Sequence, residues 1–238
     1  LARLITAKEM GILAVLLLVN GLCQLIATLS LPQAATRFMS ENLQRGERRV
    51  AASVFYQAIR TTLLLAVPLG LAVFLGANVL STQLLGEHAY ATFFQVLAVD
   101  IVLYAGVLPV LGGAMLGLQK FKETAAVGIV NTMVRQSLII LLIILLRSFL
   151  GLVIAWVIAD LVAASIYMGY VSAALGRPRF QFPLRKLLNF SWPLSVSSAV
   201  GFASAWFDRA LLLIFVPLAT LGVYNATITA FNVLVGIP

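Results

Sequence analysis

The sequence predicts an all-α, polytopic membrane protein with about seven transmembrane helices, and three observations support that fold class. First, 62% of the 238 residues are hydrophobic and only 10% are charged, too few charges to cover a water-soluble domain. Second, seven apolar runs are each long enough to cross a bilayer, which takes roughly 20 residues per helix. Third, these runs are continuously apolar rather than alternating, which indicates helices instead of barrel strands.

The seven predicted spans are joined by short links. In chain order the spans are residues 10–35, 61–80, 91–118, 124–146, 149–175, 191–215 and 218–237. The most polar link, 37–50, is predicted to turn at Gly46. Residues 51–60 are predicted to lead into the second span as a half-buried piece of helix.

The formal charge of +8 reflects a one-sided distribution of basic residues in the links. If the link after the first run is cytoplasmic, ten basic link residues lie on that side and three on the other. The ten are Arg37, Arg45, Arg48, Arg49, Lys120, Lys122, Arg177, Arg179, Arg185 and Lys186. This positive-inside bias explains the charge without a nucleic-acid partner. It predicts a multi-pass protein of the cell (plasma or inner) membrane, with links 37–50, 119–123 and 176–190 in the cytoplasm.

The link 176–190 is the best candidate for a domain boundary. After Pro178 and Pro183, the leucines of 184–188 can face lipid while Arg185 and Lys186 reach phosphates, which predicts an interfacial helix. The segments AKEMGILAVLLLVN and LATLGVYNATITAFN resemble each other and are six helices apart, a period typical of tandem six-helix transporters. We therefore expect three parts: 1–175, an N-terminal lobe lacking its first helix; 176–190, a cytoplasmic linker; and 191–238, the first two helices of a C-terminal lobe. The chain is expected to be a fragment.

Three ionisable residues fall deep inside predicted spans. Asp100, Arg135 and Asp160 each lie about 13 to 16 Å below the outer face, judged from the rise per residue of a helix. A charge at this depth is costly and marks a candidate functional site. Arg135 is expected to pair with one aspartate, and the other is then either protonated or holds a cation. We therefore predict an ion-coupling site that takes H⁺ or Na⁺.

A second constellation is Asp208-Arg209 in the sixth run. Adjacent residues point about 100° apart on a helix, so each is expected to find a partner elsewhere. One guanidinium group can donate two parallel hydrogen bonds to phosphate oxygens. The candidates for binding a phosphate-bearing headgroup are therefore Arg37, Arg60, Arg135 and Arg209. Asp208 joins the ion-coupling candidates. The alternative role for Arg37 and Arg60 is anchoring at the cytoplasmic face.

Residues that hold a metal or a cofactor are lacking in the sequence. It contains one His, the single Cys23, no glycine-rich phosphate loop and no acidic cluster in a link. Enzymes that act at a membrane surface usually need acids or histidines there for metal binding or proton transfer. We therefore expect no enzyme activity, no metal and no cofactor.

An ordered set of short motifs covers nearly the whole chain. EMGILAV, PQAATRFMSENLQRGE and GAMLGLQKFKE precede a basic amphipathic stretch that begins at Lys186. The motifs that follow contain Phe190, Pro193, Asp208, Arg209, Leu221, Gly222, Tyr224 and Ala226. In these motifs the chain resembles helices two to eight of the polysaccharide flippases of the multidrug/oligosaccharidyl-lipid/polysaccharide exporter superfamily.

The resemblance implies a V-shaped pair of helical bundles that works by alternating access. The implied cargo is a polyprenyl-pyrophosphate-linked oligosaccharide that moves from the cytoplasmic to the outer leaflet for surface polysaccharide biosynthesis. A cationic central cavity would hold the headgroup while the lipid tail stays in the bilayer. Arg37 and Asp208-Arg209 are the positions that match family motifs. The expected partners are this lipid-linked oligosaccharide, membrane lipids and H⁺ or Na⁺.

Two alternatives stay open at this point. A drug/cation antiporter of the same superfamily would favour acids and aromatic residues over arginines in its cavity. A cavity-facing Arg135 or Arg209 would therefore indicate the flippase. A membrane-embedded enzyme acting on polyprenyl-linked sugars is the alternative from another class, and the lack of an acid or His cluster in the links counts against it.

Overall fold

The computed structural model describes residues 5–176, 178 and 182–235. Within these residues the chain forms nine helices and no strand. They are α1 (Ala7–Thr28), α2 (Leu31–Gln44), α3 (Arg48–Leu75), α4 (Ala77–Leu85), α5 (His88–Gly117), α6 (Phe121–Leu146), α7 (Leu150–Ala174), α8 (Leu184–Phe215) and α9 (Leu218–Val235).

Six of these helices are long and apolar enough to cross a membrane, namely α1, α3, α5, α6, α7 and α8. The apolar part of α9, Leu218–Phe231, is shorter. Many large apolar side chains stay exposed on the outside of the bundle, as expected for helices that are surrounded by lipid. The predicted all-α, polytopic membrane fold is confirmed.

The first predicted span is not one helix, so its boundary at residue 35 was wrong. Helix α1 ends at Thr28, and Leu29 (φ 44°) and Ser30 (φ 52°) both adopt the left-handed conformation. Two such residues cannot continue a right-handed helix. The chain restarts as α2, so most of the predicted link 37–50 is helical. The turn at Gly46 (φ 77°) is present as expected, and α3 then runs through 51–60 without a break.

Helix α5 changes its winding in the middle of the bundle. A short 3₁₀ turn and the α-helical part Ala91–Asp100 lead into a π-helical segment, Ile101–Val107. The α-helix resumes at Leu108. Segments of π-helix inside α-helices are uncommon and occur frequently at functional sites. Here the change begins directly after Asp100.

Two hydrophobic cores fill the two ends of the bundle. Leu16, Phe94 and Trp156 belong to the core between α1, α5 and α7 at the end where α1 begins. Met39 and Leu111 belong to the second core, between α2, α3, α5 and the later part of α7. Asp160 lies on α7 between the residues that α7 contributes to the two cores. The buried Asp160 thus lies between two apolar layers.

The stretch 184–190 is the start of α8 rather than a separate helix. Leu187 is fully buried in the second core, and Leu188 packs against that core. The expectation that these two leucines face lipid was therefore wrong, because the apolar face of this amphipathic stretch packs against α2. The placement of this stretch at the membrane surface stays a prediction. Arg177 and Arg179, assigned to the same cytoplasmic link, lie outside the described residues.

Candidate functional site

A cavity of about 240 Å³ opens between five helices, near the middle of α1. It is lined by Leu17, Asn20, Gly21, Gln24, Asp100, Tyr104, Arg135, Trp156, Phe202 and Trp206. These residues come from α1, α5, α6, α7 and α8. The cavity therefore combines polar side chains from α1, α5 and α6 with aromatic rings from α7 and α8.

Asp100 lies at the wall of this cavity and is buried. The Asn20 Nδ2 group donates a hydrogen bond of 2.9 Å to Asp100 Oδ2, which ties α1 to α5. Tyr104, in the π-helical segment, lines the same cavity, as does Gln24 of α1. The change of winding after Asp100 thus brings a carboxylate and a phenol into one polar layer.

Asp160 is completely buried and forms an ion pair with Arg135. The Arg135 Nη2 atom donates to Asp160 Oδ1, and Asn131, one turn earlier on α6, donates to the same oxygen at 3.5 Å. The Arg135 side chain keeps 26% of its surface exposed and also lines the cavity. Asp100 and Arg135 line the same cavity. The three residues that were expected to share one layer are therefore neighbours.

Four buried side-chain oxygens in this layer accept no hydrogen bond from any described residue. They are Asn20 Oδ1, Asp100 Oδ1, Asn131 Oδ1 and Asp160 Oδ2. Leaving such acceptors unsatisfied is costly, so each calls for a ligand or a proton. Two carboxylates face one guanidinium, which leaves one uncompensated negative charge when both are ionised. A proton or a monovalent cation with oxygen ligands would balance this charge.

Asp208 and Arg209 lie on α8 and point to different partners, as their spacing predicted. Asp208 accepts a hydrogen bond from the Tyr224 hydroxyl of α9, which joins the last two helices. The Arg209 guanidinium carbon lies 4.6 Å from the centre of the Trp206 ring, and Trp206 lines the cavity. The Nε atom of Arg209 is buried and donates to no described residue. Of these two residues, only Arg209 contacts a side chain of the cavity wall, and Asp208 is not part of the aspartate cluster that Asp100 and Asp160 form.

The other two candidate arginines lie outside the cavity. Arg37 is exposed in the middle of α2, with its guanidinium carbon 4.4 Å from the centre of the Phe190 ring. Arg60 is exposed on the outer face of α3, beside a mainly apolar groove that Tyr56 and Leu64 also line. The four arginines therefore do not form a single site, and the location of Arg60 suits the anchoring role.

Several residues of this site were not among the sequence-based candidates. Asn20, Gln24 and Asn131 are uncharged, whereas the sequence-based candidates were all ionisable residues. Their signal was available, because amides within long apolar runs also need partners. The aromatic lining carried no such signal, since an aromatic residue in an apolar helix usually faces the core or lipid. Among the described residues, no group of three or more His, Cys, Asp or Glu side chains is placed to hold a metal ion.

The fold and this site define a multi-pass membrane protein with charged groups buried beside an internal cavity. A family model described as "Polysaccharide biosynthesis protein" matches residues 1–237, so the chain belongs to this family. The family includes O-antigen-flippase-like proteins of the exporter superfamily named above, which confirms the resemblance. Membership of this family assigns the protein a role in polysaccharide biosynthesis or transport. No curated protein and no solved structure shows significant similarity to the chain.

Proposed function

We propose that this protein is a flippase that moves a polyprenyl-pyrophosphate-linked oligosaccharide from the cytoplasmic to the outer leaflet of the cell membrane by alternating access. The observation that carries the proposal is the position of Arg135, a half-buried cation at the wall of an intramembrane cavity. Its guanidinium has five N–H donors, and the bond to Asp160 engages only part of them. The remaining donors suit the oxygens of a phosphate group.

The rest of the cavity wall suits a sugar-bearing headgroup. Trp156, Phe202 and Trp206 offer flat apolar faces, and Asn20 and Gln24 offer amides for hydroxyl groups. Arg209, stacked on Trp206, is the second candidate ligand of the pyrophosphate. The polyprenyl tail would stay in the bilayer, because the cavity is too small to hold it.

The two-lobe arrangement is also part of this proposal. The cavity is lined by helices from 1–175 and by α8, the first helix of the predicted C-terminal lobe. A site between two lobes is what alternating access requires, since rocking of one lobe exposes the site to either side. The positive-inside bias supports a cytoplasmic location for the links 37–50, 119–123 and 176–190.

The aspartate cluster is the proposed ion-coupling site. Asp100 and Asp160 carry one negative charge more than Arg135 neutralises, and their free oxygens suit a proton or Na⁺. Asp208 is proposed to act in the contact with α9 instead, because it is bound to Tyr224. If the cluster couples transport to a gradient, Asp100→Asn and Asp160→Asn will transport at a rate independent of that gradient. If both variants keep the wild-type dependence on the H⁺ and Na⁺ gradients, the coupling role is contradicted.

A drug/cation antiporter is the second candidate, and one observation favours it. The cavity contains Asp100 together with three aromatic residues, a combination that suits an organic cation. Arg135 in the same wall opposes cation binding, because like charges repel. Transport of a cationic dye that is abolished by Asp100→Asn, without transport of a lipid-linked sugar, would favour the antiporter.

The direct test is a flipping assay on the reconstituted protein with a labelled polyprenyl-pyrophosphate oligosaccharide. Arg135→Gln and Arg209→Gln are compared with wild type, and Arg147→Gln, at the exposed end of α6, serves as the matched control. Loss of one charge-assisted hydrogen bond is expected to slow flipping about tenfold or more in each test variant. Wild-type rates in both test variants, with intact folding shown by gel filtration, would contradict the proposal.

A further inference from the structure

Two basic side chains from α2 and α8 face aromatic rings at the end of the bundle where α2 ends. The Arg37 guanidinium carbon lies 4.4 Å from the centre of the Phe190 ring and 5.7 Å from that of Phe38. The Lys186 Nζ atom lies 5.2 Å from the centre of the Phe38 ring and 5.7 Å from that of Phe182. Both cations therefore contact the Phe38 ring. We name these five residues the cation–aromatic cluster.

The rings of this cluster are held firmly in place. Phe38 and Phe182 are each 6% exposed, and they belong to the second hydrophobic core. The Phe190 ring packs edge-on against Phe38 with the ring centres 5.7 Å apart. An aromatic face attracts a cation without supplying a hydrogen-bond acceptor for its N–H groups. The cluster thus orients both cations and leaves their donors available.

Neither cation is neutralised by an acid in the part of the chain that the structure describes. No ion pair and no side-chain hydrogen bond there includes Arg37 or Lys186. Arg45 caps the C-terminal end of α2, about two turns beyond Arg37, and behaves differently, since it forms an ion pair of 2.7 Å with Glu41. Two oriented, unpaired cations that share one ring make a site for an anion with more than one charged group.

We propose that Arg37 and Lys186 bind the pyrophosphate of the lipid-linked cargo when it first docks, at the cytoplasmic end of the seam between α2 and α8. This inference rests on the proposed function and adds a binding site separate from the cavity. Arg37 can hold two oxygens of one phosphate group through its planar fork, while Lys186 acts as a point charge on the other. A monophosphate offers only one such group, so the site favours the pyrophosphate.

The position of the cluster connects it to the cavity. Along α8, Ser198 follows Phe190 by about two turns, and its hydroxyl oxygen lies 3.3 Å from that of Ser30 at the start of α2. Phe202, one turn further on α8, lines the cavity. The seam between α2 and α8 therefore runs from the cation–aromatic cluster to the cavity. When the two lobes separate along this seam, a headgroup that is bound at the cluster lies at the entrance.

The test measures binding of geranylgeranyl pyrophosphate to the detergent-solubilised protein, with Arg37→Gln, Lys186→Gln and the double variant. Each single change is expected to raise Kd about tenfold, because each removes charge-assisted hydrogen bonds to phosphate. Phe190→Leu keeps both charges and is expected to weaken binding severalfold through loss of orientation. Arg45→Gln removes a charge from the C-terminal end of the helix that carries Arg37 and, as the matched control, is expected to leave Kd unchanged.

Two outcomes would overturn this site. One is an unchanged Kd in Arg37→Gln and Lys186→Gln while gel filtration shows a folded protein. The other is equal competition by phosphatidylglycerol, which would make the cluster a general contact for anionic lipids. Failure of the proposed function is seen separately, as a wild-type protein that does not flip the lipid-linked oligosaccharide. If wild type flips the lipid-linked oligosaccharide while the Arg37 and Lys186 variants keep full affinity for the probe, the docking site alone is wrong.

Discussion

Gly222 of α9 packs directly against Gly11 of α1, backbone to backbone. A Cβ atom on Gly222 would lie 2.7 Å from the Gly11 amide nitrogen and would overlap the carbonyl oxygen of Ala7. A Cβ atom on Gly11 would overlap the carbonyl oxygen of Leu218. Small residues allow this close approach of helices in a membrane. The two glycines lie in the segments whose sequences resemble each other, so the internal similarity falls at a contact between the two proposed lobes.

Adding a methyl group at this crossing is expected to destabilise the protein. Gly222→Ala must push α9 away from α1, at a cost of about 1–3 kcal/mol as for other overpacked sites. Thermal unfolding in detergent measures the effect as a lower Tm. Gly201→Ala is the control, because a Cβ atom there has no neighbour within 4 Å. Equal Tm values for the two variants would show that α1 and α9 do not meet at this contact.

The Arg135–Asp160 pair is expected to matter for stability as well as for transport. Arg135→Ala leaves the fully buried Asp160 carboxylate without its ion-pair partner, which typically costs about 3–5 kcal/mol. The double variant Arg135→Met/Asp160→Leu removes both charges and is expected to recover most of the loss. Chemical unfolding in detergent measures both. A double variant no more stable than Arg135→Ala would show that the ion pair itself does not explain the loss.

The π-helical segment of α5 is expected to depend on one hydrogen bond from α3. The buried Thr62 hydroxyl donates a bond of 2.7 Å to the Gly106 carbonyl, which lies within the π-helical segment. Thr62→Val is expected to cost about 0.6–1.7 kcal/mol, the range found for hydrogen bonds between membrane helices. Thr61→Val is the control, because the Thr61 hydroxyl donates to the Gln57 carbonyl of its own helix. A similar loss in both variants would contradict a special role for Thr62.

The spans and the polar layer could be predicted from the sequence because both follow from fixed lengths. The rise per residue places Asp100, Arg135 and Asp160 at one depth whatever the details of packing. The break after Thr28 was missed because Leu29 and Ser30 do not interrupt the apolar run. Pro32 was the available signal, since proline favours the first turn of a new helix.

The partners of the buried charges could not be predicted in the same way. Depth says nothing about the rotation of one helix against another, so the roles of Asn20 and Asn131 were not foreseen. The same ambiguity explains Leu187. An amphipathic stretch has one apolar face, and the sequence does not distinguish a lipid surface from the groove beside α2 as its partner.

The central claim is that the cavity beside Arg135 is a wet site for a lipid-linked sugar, and substrate protection of a single cysteine tests it most directly. In a Cys23→Ala background, Gln24→Cys places a thiol in the cavity wall, and Leu22→Cys places one on the exposed face of the same helix. A charged, membrane-impermeant thiol reagent modifies only a thiol that water reaches as a thiolate. We predict that Gln24→Cys reacts, that the polyprenyl-pyrophosphate oligosaccharide slows this reaction, and that Leu22→Cys does not react. An unreactive Gln24→Cys, or a reaction rate unchanged by the oligosaccharide, would contradict the account.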